Sequence, residues 1–183
     1  MTPLLRPFAL FALLAGASTA AAEDPPAFPK EIAIPAGHAP VLTARAKGVQ
    51  IYRSVDNKDG KPEWVLEAPL AELTNAKGEP IGLHFGGPPF GGPAWEAADG
   101  TRLVRDKAVD VKSAPAPKAQ TDLPWLLVRV KADSDDPGVF AKVTYIQRVL
   151  TEGGQAPAAL PKRANTRVGV PYRATYVFYA PAK

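Results

Sequence analysis

The 183-residue chain has no cysteine, a single methionine and only two histidines, His38 and His84. Without cysteine there is no disulfide to staple the fold and no thiolate to serve as nucleophile or metal ligand. A strong bias of charge is missing too: 22 basic residues face 18 acidic ones, a formal net charge of +4. The basic residues Lys47, Lys58, Lys61, Arg102, Arg105, Lys107, Lys142 and Arg148 are scattered. That is not the clustered face that neutralises phosphates, so no nucleic-acid partner is expected. No G-x-S-x-G elbow occurs, and no strand-linked G-x-G-x-x-G opens a helix. Neither a serine hydrolase nor a dinucleotide enzyme is signalled, and no catalytic residue, cofactor or metal is assigned.

Hydrophobic runs long enough to span a membrane are also lacking. The one apolar run, Phe8 to Ala15, follows Arg6 and precedes Ala20-Ala21-Ala22, the layout of a cleavable export signal over residues 1–22. It is shorter than the ~20 residues a helical span needs, so no transmembrane anchor is expected. The protein is read as exported, to the periplasm or the medium, with its mature start near Glu23.

What the chain has in quantity is proline, 21 residues, and glycine, 15. Pro25, Pro26, Pro29, Pro35 and Pro40 make residues 23–40 an extended arm or linker. Beyond it, over residues 41–183, short Val/Ile/Tyr/Trp/Thr runs alternate with Gly/Pro/Asp/Asn clusters. The pattern predicts one all-β domain, a single antiparallel β-sandwich or partly closed barrel with long Gly/Pro loops and little helix.

Individual elements follow. Val49–Tyr52 and Glu63–Leu66 flank the turn Asp56–Gly60 and read as a hairpin. Ala68 to Leu73 reads as one short helical turn, and Pro80 to Phe85 as a strand. Thr101 to Val111 reads as one long strand after the turn Asp99-Gly100. Residues 113–122 form a connector. Pro124–Lys131 and Phe140–Leu150 read as an antiparallel pair joined by the turn Asp133–Gly138. Tyr172 to Tyr179 is apolar on both faces, as a central strand would be.

Residues 84–100, His-Phe-Gly-Gly-Pro-Pro-Phe-Gly-Gly-Pro-Ala-Trp-Glu-Ala-Ala-Asp-Gly, concentrate chemistry in a Gly/Pro setting. They read as an irregular but defined loop, the kind of element that carries function on a β scaffold. His84, Trp95, Glu96 and Asp99 are its candidate ligand-binding residues, with Arg148 as a fifth.

The order of several blocks resembles the exported-protein family of the domain of unknown function DUF3455. The blocks are Gly48-Val49-Gln50-Ile51-Tyr52, Trp64-Val65-Leu66 with Ala68-Pro69, Ile81-Gly82 with His84, and Gly92-Pro93-Ala94-Trp95-Glu96 with Asp99-Gly100. Further on come Pro124-Trp125-Leu126-Leu127, Val143 to Arg148 with Gly153-Gly154, and Val170-Pro171-Tyr172 with Phe178-Tyr179. The resemblance implies a secreted, β-rich domain with no established activity. It also implies cysteines near Arg53-Ser54 and Leu160-Pro161, so their absence here looks like the loss of a disulfide. The loop, too, is longer than the family's His-to-Trp connection by about one Gly-Gly-Pro-Pro-Phe unit.

The candidates admit several chemistries. His84, Glu96 and Asp99 are a mixed donor set of the sort zinc or manganese accepts, though a structural histidine, a surface Glu and a turn Asp account for them equally. Glu96 with Asp99 is a conceivable acid/base pair for glycoside hydrolysis. Trp95 borders the loop and offers a stacking face. Gln147 and Arg148 lie mid-strand and need partners. Arg148 pairs with Glu96 or Asp99 in one reading and binds an anionic ligand in another. The leading expectation is an exported β-domain that binds a small molecule, glycan or envelope partner around residues 84–100. A hydrolase or metal-dependent enzyme using Glu96 and His84, and a purely structural envelope protein, are the alternatives.

Overall fold

Strict alternation in the first strand, β1 (His38–Asp56), organises the molecule. Ala44, Ala46, Gln50 and Tyr52 are buried on one face while Thr43, Arg45 and Lys47 stay in water, the period of two that pleating imposes. The computed structural model describes residues 28–87, 91–133 and 138–182. Residues 1–22, read above as an export signal, lie outside them, as do Pro88-Pro89-Phe90 of the extra loop unit and most of the Asp133–Gly138 turn.

The chain reverses from β1 into β2 (Pro62–Thr74) through the expected turn. Asn57 Oδ1 accepts the amides of Asp59 and Lys61, both at 3.0 Å, and Gly60 takes a left-handed φ of 71°. Ala68 to Leu73 does not form the helical turn read from its sequence: it is extended within β2. Ala71 and Leu73 must face the interior, and ladders to β1 on one edge and β3 on the other hold them there. Gly48 lets these backbones meet closely, because a Cβ on it would stand 2.1 Å from the Leu70 carbonyl.

β3 (Pro80–Phe85) is the strand expected. Residues 84–100, read as one irregular loop, instead hold the end of β3 and all of β4 (Ala94–Ala97). His84 pairs in register with Trp95, and Gly82 with Ala97. Glycine spacing hid a hairpin whose stability comes from its neighbours. The single long strand expected over 101–111 is broken likewise. β5 (Arg102–Arg105) stops where Asp106 Oδ1 accepts the Ala108 amide at 3.1 Å, and the chain resumes as β6 (Lys112–Ala114).

β7 (Trp125–Ala132) pairs along one edge with β8 (Tyr145–Gly153). Its other edge is shared. β6 takes the first half, Leu127 opposite Lys112, and β5 the second, Ala132 opposite Leu103. β9 (Arg167–Pro181) lies between β1 and β8, the central position its two apolar faces called for. The sheet order is β5-β4-β3-β2-β1-β9-β8-β7-β6, and the β5–β7 pairing returns it to itself. The result is one antiparallel sheet of nine strands forming a partly closed barrel, its seam only three residue pairs long.

One end of this ring is filled. From the β7–β8 connection Phe140 reaches inward and stacks on Phe178, centroids 4.8 Å apart, beside buried Leu73, Leu103, Val130 and Ile146. The outer face of β7 and β8 is covered by the proline-rich arm. Ile32 is fully buried there, Phe28 meets Trp125 edge-on at 5.8 Å, and Gln147 Nε2 donates to the Ile32 carbonyl at 2.9 Å. The described part of the arm is therefore a packed cover.

Candidate functional site

The other end of the ring is open. There the chain lines a cavity of about 670 Å³, within the range of small-molecule sites. Leu66, Pro69, Val111, Leu123, Leu126 and Val128 give it apolar walls. Gly86, Gly87, Gly91, Gly92 and Pro93, the β3–β4 connection, border it. Gly87 and Gly91 have φ of 95° and 63°, and the Gly91 amide donates to the Gly87 carbonyl at 3.0 Å. Those angles are open to glycine at no steric cost.

His84 and Trp95 lie against the cavity as a stacked pair, centroids 4.5 Å apart and planes 11° from parallel. Tyr176 meets both rings edge-on, at 5.1 and 6.0 Å. His84 Nδ1 lies 2.8 Å from the Ala94 carbonyl, which fixes Nδ1 as the protonated nitrogen. Burial lowers its pKa to about 3, so the imidazole is neutral.

Arg148 projects into the same cavity from β8 and is 8% exposed. Its Nε and Nη2 share a single acceptor, the Pro124 carbonyl, at 3.3 and 2.9 Å. Among the described residues no carboxylate comes within 4.0 Å of it. Its positive charge acts on Tyr52, His84, Tyr172 and Tyr176 alike, which places it among them. Burial dominates at these tyrosines and raises the pKa of each, so all three phenols stay neutral.

Of the five residues singled out in the sequence, His84, Trp95 and Arg148 line the cavity, whereas Glu96 and Asp99 do not. Strand alternation turns Glu96 to the outer face, where it accepts from Arg102 Nε at 2.7 Å. The expected contact between Arg148 and Glu96 or Asp99 is thus not made: Arg148 faces in and binds a carbonyl. Asp99 caps its turn, accepting the amides of Thr101 at 2.9 Å and Val139 at 2.8 Å, bonds that lower its pKa. His84 and Glu96 do not converge, and among the described residues no three His, Asp or Glu side chains are grouped to hold a metal.

Sequence reasoning missed Gln50, Tyr52, Arg105 and Tyr176, which also line the cavity. A signal was present for Gln50. It is an amide at an inward position of a strand whose neighbouring inward residues are Ala44, Ala46 and Tyr52.

Fold and site together define a small β-ring protein with an internal, arginine-bearing cavity open at one end. The chain belongs to the family described as Protein of unknown function (DUF3455), whose model matches residues 35–180. No curated protein and no solved structure matches it.

Proposed function

We propose that this protein is an exported binder that holds one small molecule in the open end of its β ring. The observation that carries the reading is the cavity itself: about 670 Å³, apolar-walled, and lined by polar groups at a few chosen points. The β5–β7 seam closes eight of the nine strands, with β6 outside the ring, and a ring of that size has an interior that side chains just fill or that takes one small ligand. This ring does both, with Phe140 and Phe178 filling one end and Leu126, Val128 and Pro69 leaving room at the other. A concave interior favours a small molecule over a flat envelope partner, and its mainly apolar wall favours an apolar body over a glycan. The export assignment is supported by the Arg6, Phe8–Ala15 and Ala20-Ala21-Ala22 pattern. No helix among the described residues is long and apolar enough to cross a membrane.

The test is titration with N-phenylnaphthylamine, a neutral fluorophore that brightens in apolar sites. Saturable brightening at one probe per chain, abolished by the cavity-filling variant Val128→Trp in a folded protein, supports the reading. No brightening, or brightening that Val128→Trp leaves intact, overturns it.

A further inference from the structure

Resting on that reading, we infer that the ligand is a carboxylic acid with an apolar, ring-sized body, its carboxylate held by Arg148 and the body packed toward Trp95 and Val128.

A buried guanidinium is costly unless something compensates it, and a half-paired one is the worst case. Arg148 is in that state: two of its N–H groups share one neutral carbonyl, and no carboxylate among the described residues reaches it. The single carboxylate in the described cavity wall is Glu67, and its two oxygens are committed to Arg167, at 2.7 and 2.9 Å, with Arg53 nearby at 3.6 Å. The cavity therefore carries positive charge that the described chain does not answer.

The neutral polar atoms around Arg148 point the same way. Gln50 Nε2, Trp95 Nε1 and the hydroxyls of Tyr172 and Tyr176 are buried without a protein hydrogen-bond partner, and so is Arg105 Nε. All five can donate. The hydroxyls of Tyr172 and Tyr176 lie close to each other, with Gln50 beside Tyr172 and Arg148 beside Tyr176, and they remain protonated. Buried donors in surplus call for a ligand rich in acceptors. A carboxylate is the acceptor-only group, with about four lone-pair sites and a planar shape that matches a guanidinium fork. The stacked His84–Trp95 pair and the side chains of Leu126 and Val128 ask for an apolar remainder.

The probes are naphthoate and naphthamide, which share one ring system and differ in the carboxylate. Each is titrated against the N-phenylnaphthylamine complex of the wild-type protein and of Arg148→Met, at low salt. Naphthoate is expected to displace the fluorophore at least tenfold more tightly than naphthamide, and Arg148→Met to bring the two within about twofold. Should Arg148→Met fail to fold, Arg148→Gln, which removes the charge and keeps a donor for the Pro124 carbonyl, is expected to lose most of the preference. Equal affinity of the wild type for both probes, or a preference that survives in the variant, overturns the carboxylate assignment and leaves the cavity reading standing. Failure of the wild type to bind fluorophore, acid and amide alike overturns the cavity reading itself, and this inference with it.

Discussion

Arg148 donates both Nε and Nη2 to the main-chain carbonyl of Pro124, at 3.3 and 2.9 Å, and to no side-chain carboxylate among the described residues. Pro124, the residue just before β7, thus anchors a cation buried beneath the open end of the ring. A buried charge so weakly compensated contributes little to stability and can reduce it. Arg148→Met, of similar length and apolar, is expected to unfold within about 1 kcal/mol of the wild type or above it. Urea denaturation of the ligand-free protein measures this; a loss of several kcal/mol would show that the guanidinium is structural.

His84 makes the fold acid-sensitive. Its folded pKa, about 3, lies below its ordinary value of 6.5, chiefly because burial penalises the cation. Between those values the unfolded chain takes up a proton that the folded chain refuses. The contribution is whole above pH 6.5 and falls as pH drops toward 3, with a slope of at most about 1.4 kcal/mol per unit. His84→Asn keeps a donor for the Ala94 carbonyl and removes the titration. Unfolding free energies at pH 7, 5 and 4 are expected to converge more closely in the variant than in the wild type.

Ser54 lies in the Arg53-Ser54 stretch near which the family resemblance implies a cysteine. It is fully buried, and its hydroxyl donates to the Arg163 carbonyl at 2.8 Å. Its amide donates to the Thr166 carbonyl and its own carbonyl accepts from Asn165. Trp64 Nε1 adds a bond to the Ala159 carbonyl at 2.9 Å. Hydrogen bonds thus tie the β8–β9 connection to β1 and β2 where no disulfide can. Ser54→Ala is expected to cost about 1–2 kcal/mol, since it strands a carbonyl in a partly buried setting; chemical denaturation gives the number.

Two glycines should respond in opposite ways to the same substitution. Gly48→Ala drives a methyl to within 2.1 Å of the Leu70 carbonyl and is expected to cost about 3 kcal/mol or prevent folding. Gly92→Ala meets nothing within 4 Å, and its melting temperature should match the wild type. Equal behaviour of the two in a thermal melt would contradict the close β1–β2 approach.

Glu96 is a surface ion-pair partner, about one-third exposed, of Arg102. Such pairs are worth roughly 0–1 kcal/mol. Glu96→Gln is expected to lower stability by no more than that and to leave N-phenylnaphthylamine binding unchanged. A tenfold loss of probe affinity would place Glu96 in the site after all.

Local patterning along the chain was enough for the β class, the first hairpin, the central last strand and the β7–β8 pairing, though not for the start of β8, expected at Phe140 and found at Tyr145. Each rests on local alternation and turn chemistry, as in Val128 and Val130 against Leu127 and Arg129, or Asn57 and Gly60 at the turn. It also picked out His84, Trp95 and Arg148. Which way those side chains point, and what meets them, depends on how the strands pair. Alternation tells that Trp95 and Glu96 lie on opposite faces; it does not tell which face is inside until β3 and β5 pair on either side. Ala68 to Leu73 is extended because two neighbouring strands claim its edges, a force that no local propensity registers. The cavity is likewise non-local: Gln50, Tyr176 and Arg148 come from the neighbouring strands β1, β9 and β8, far apart in sequence, and His84 and Trp95 of β3 and β4 join them in its wall.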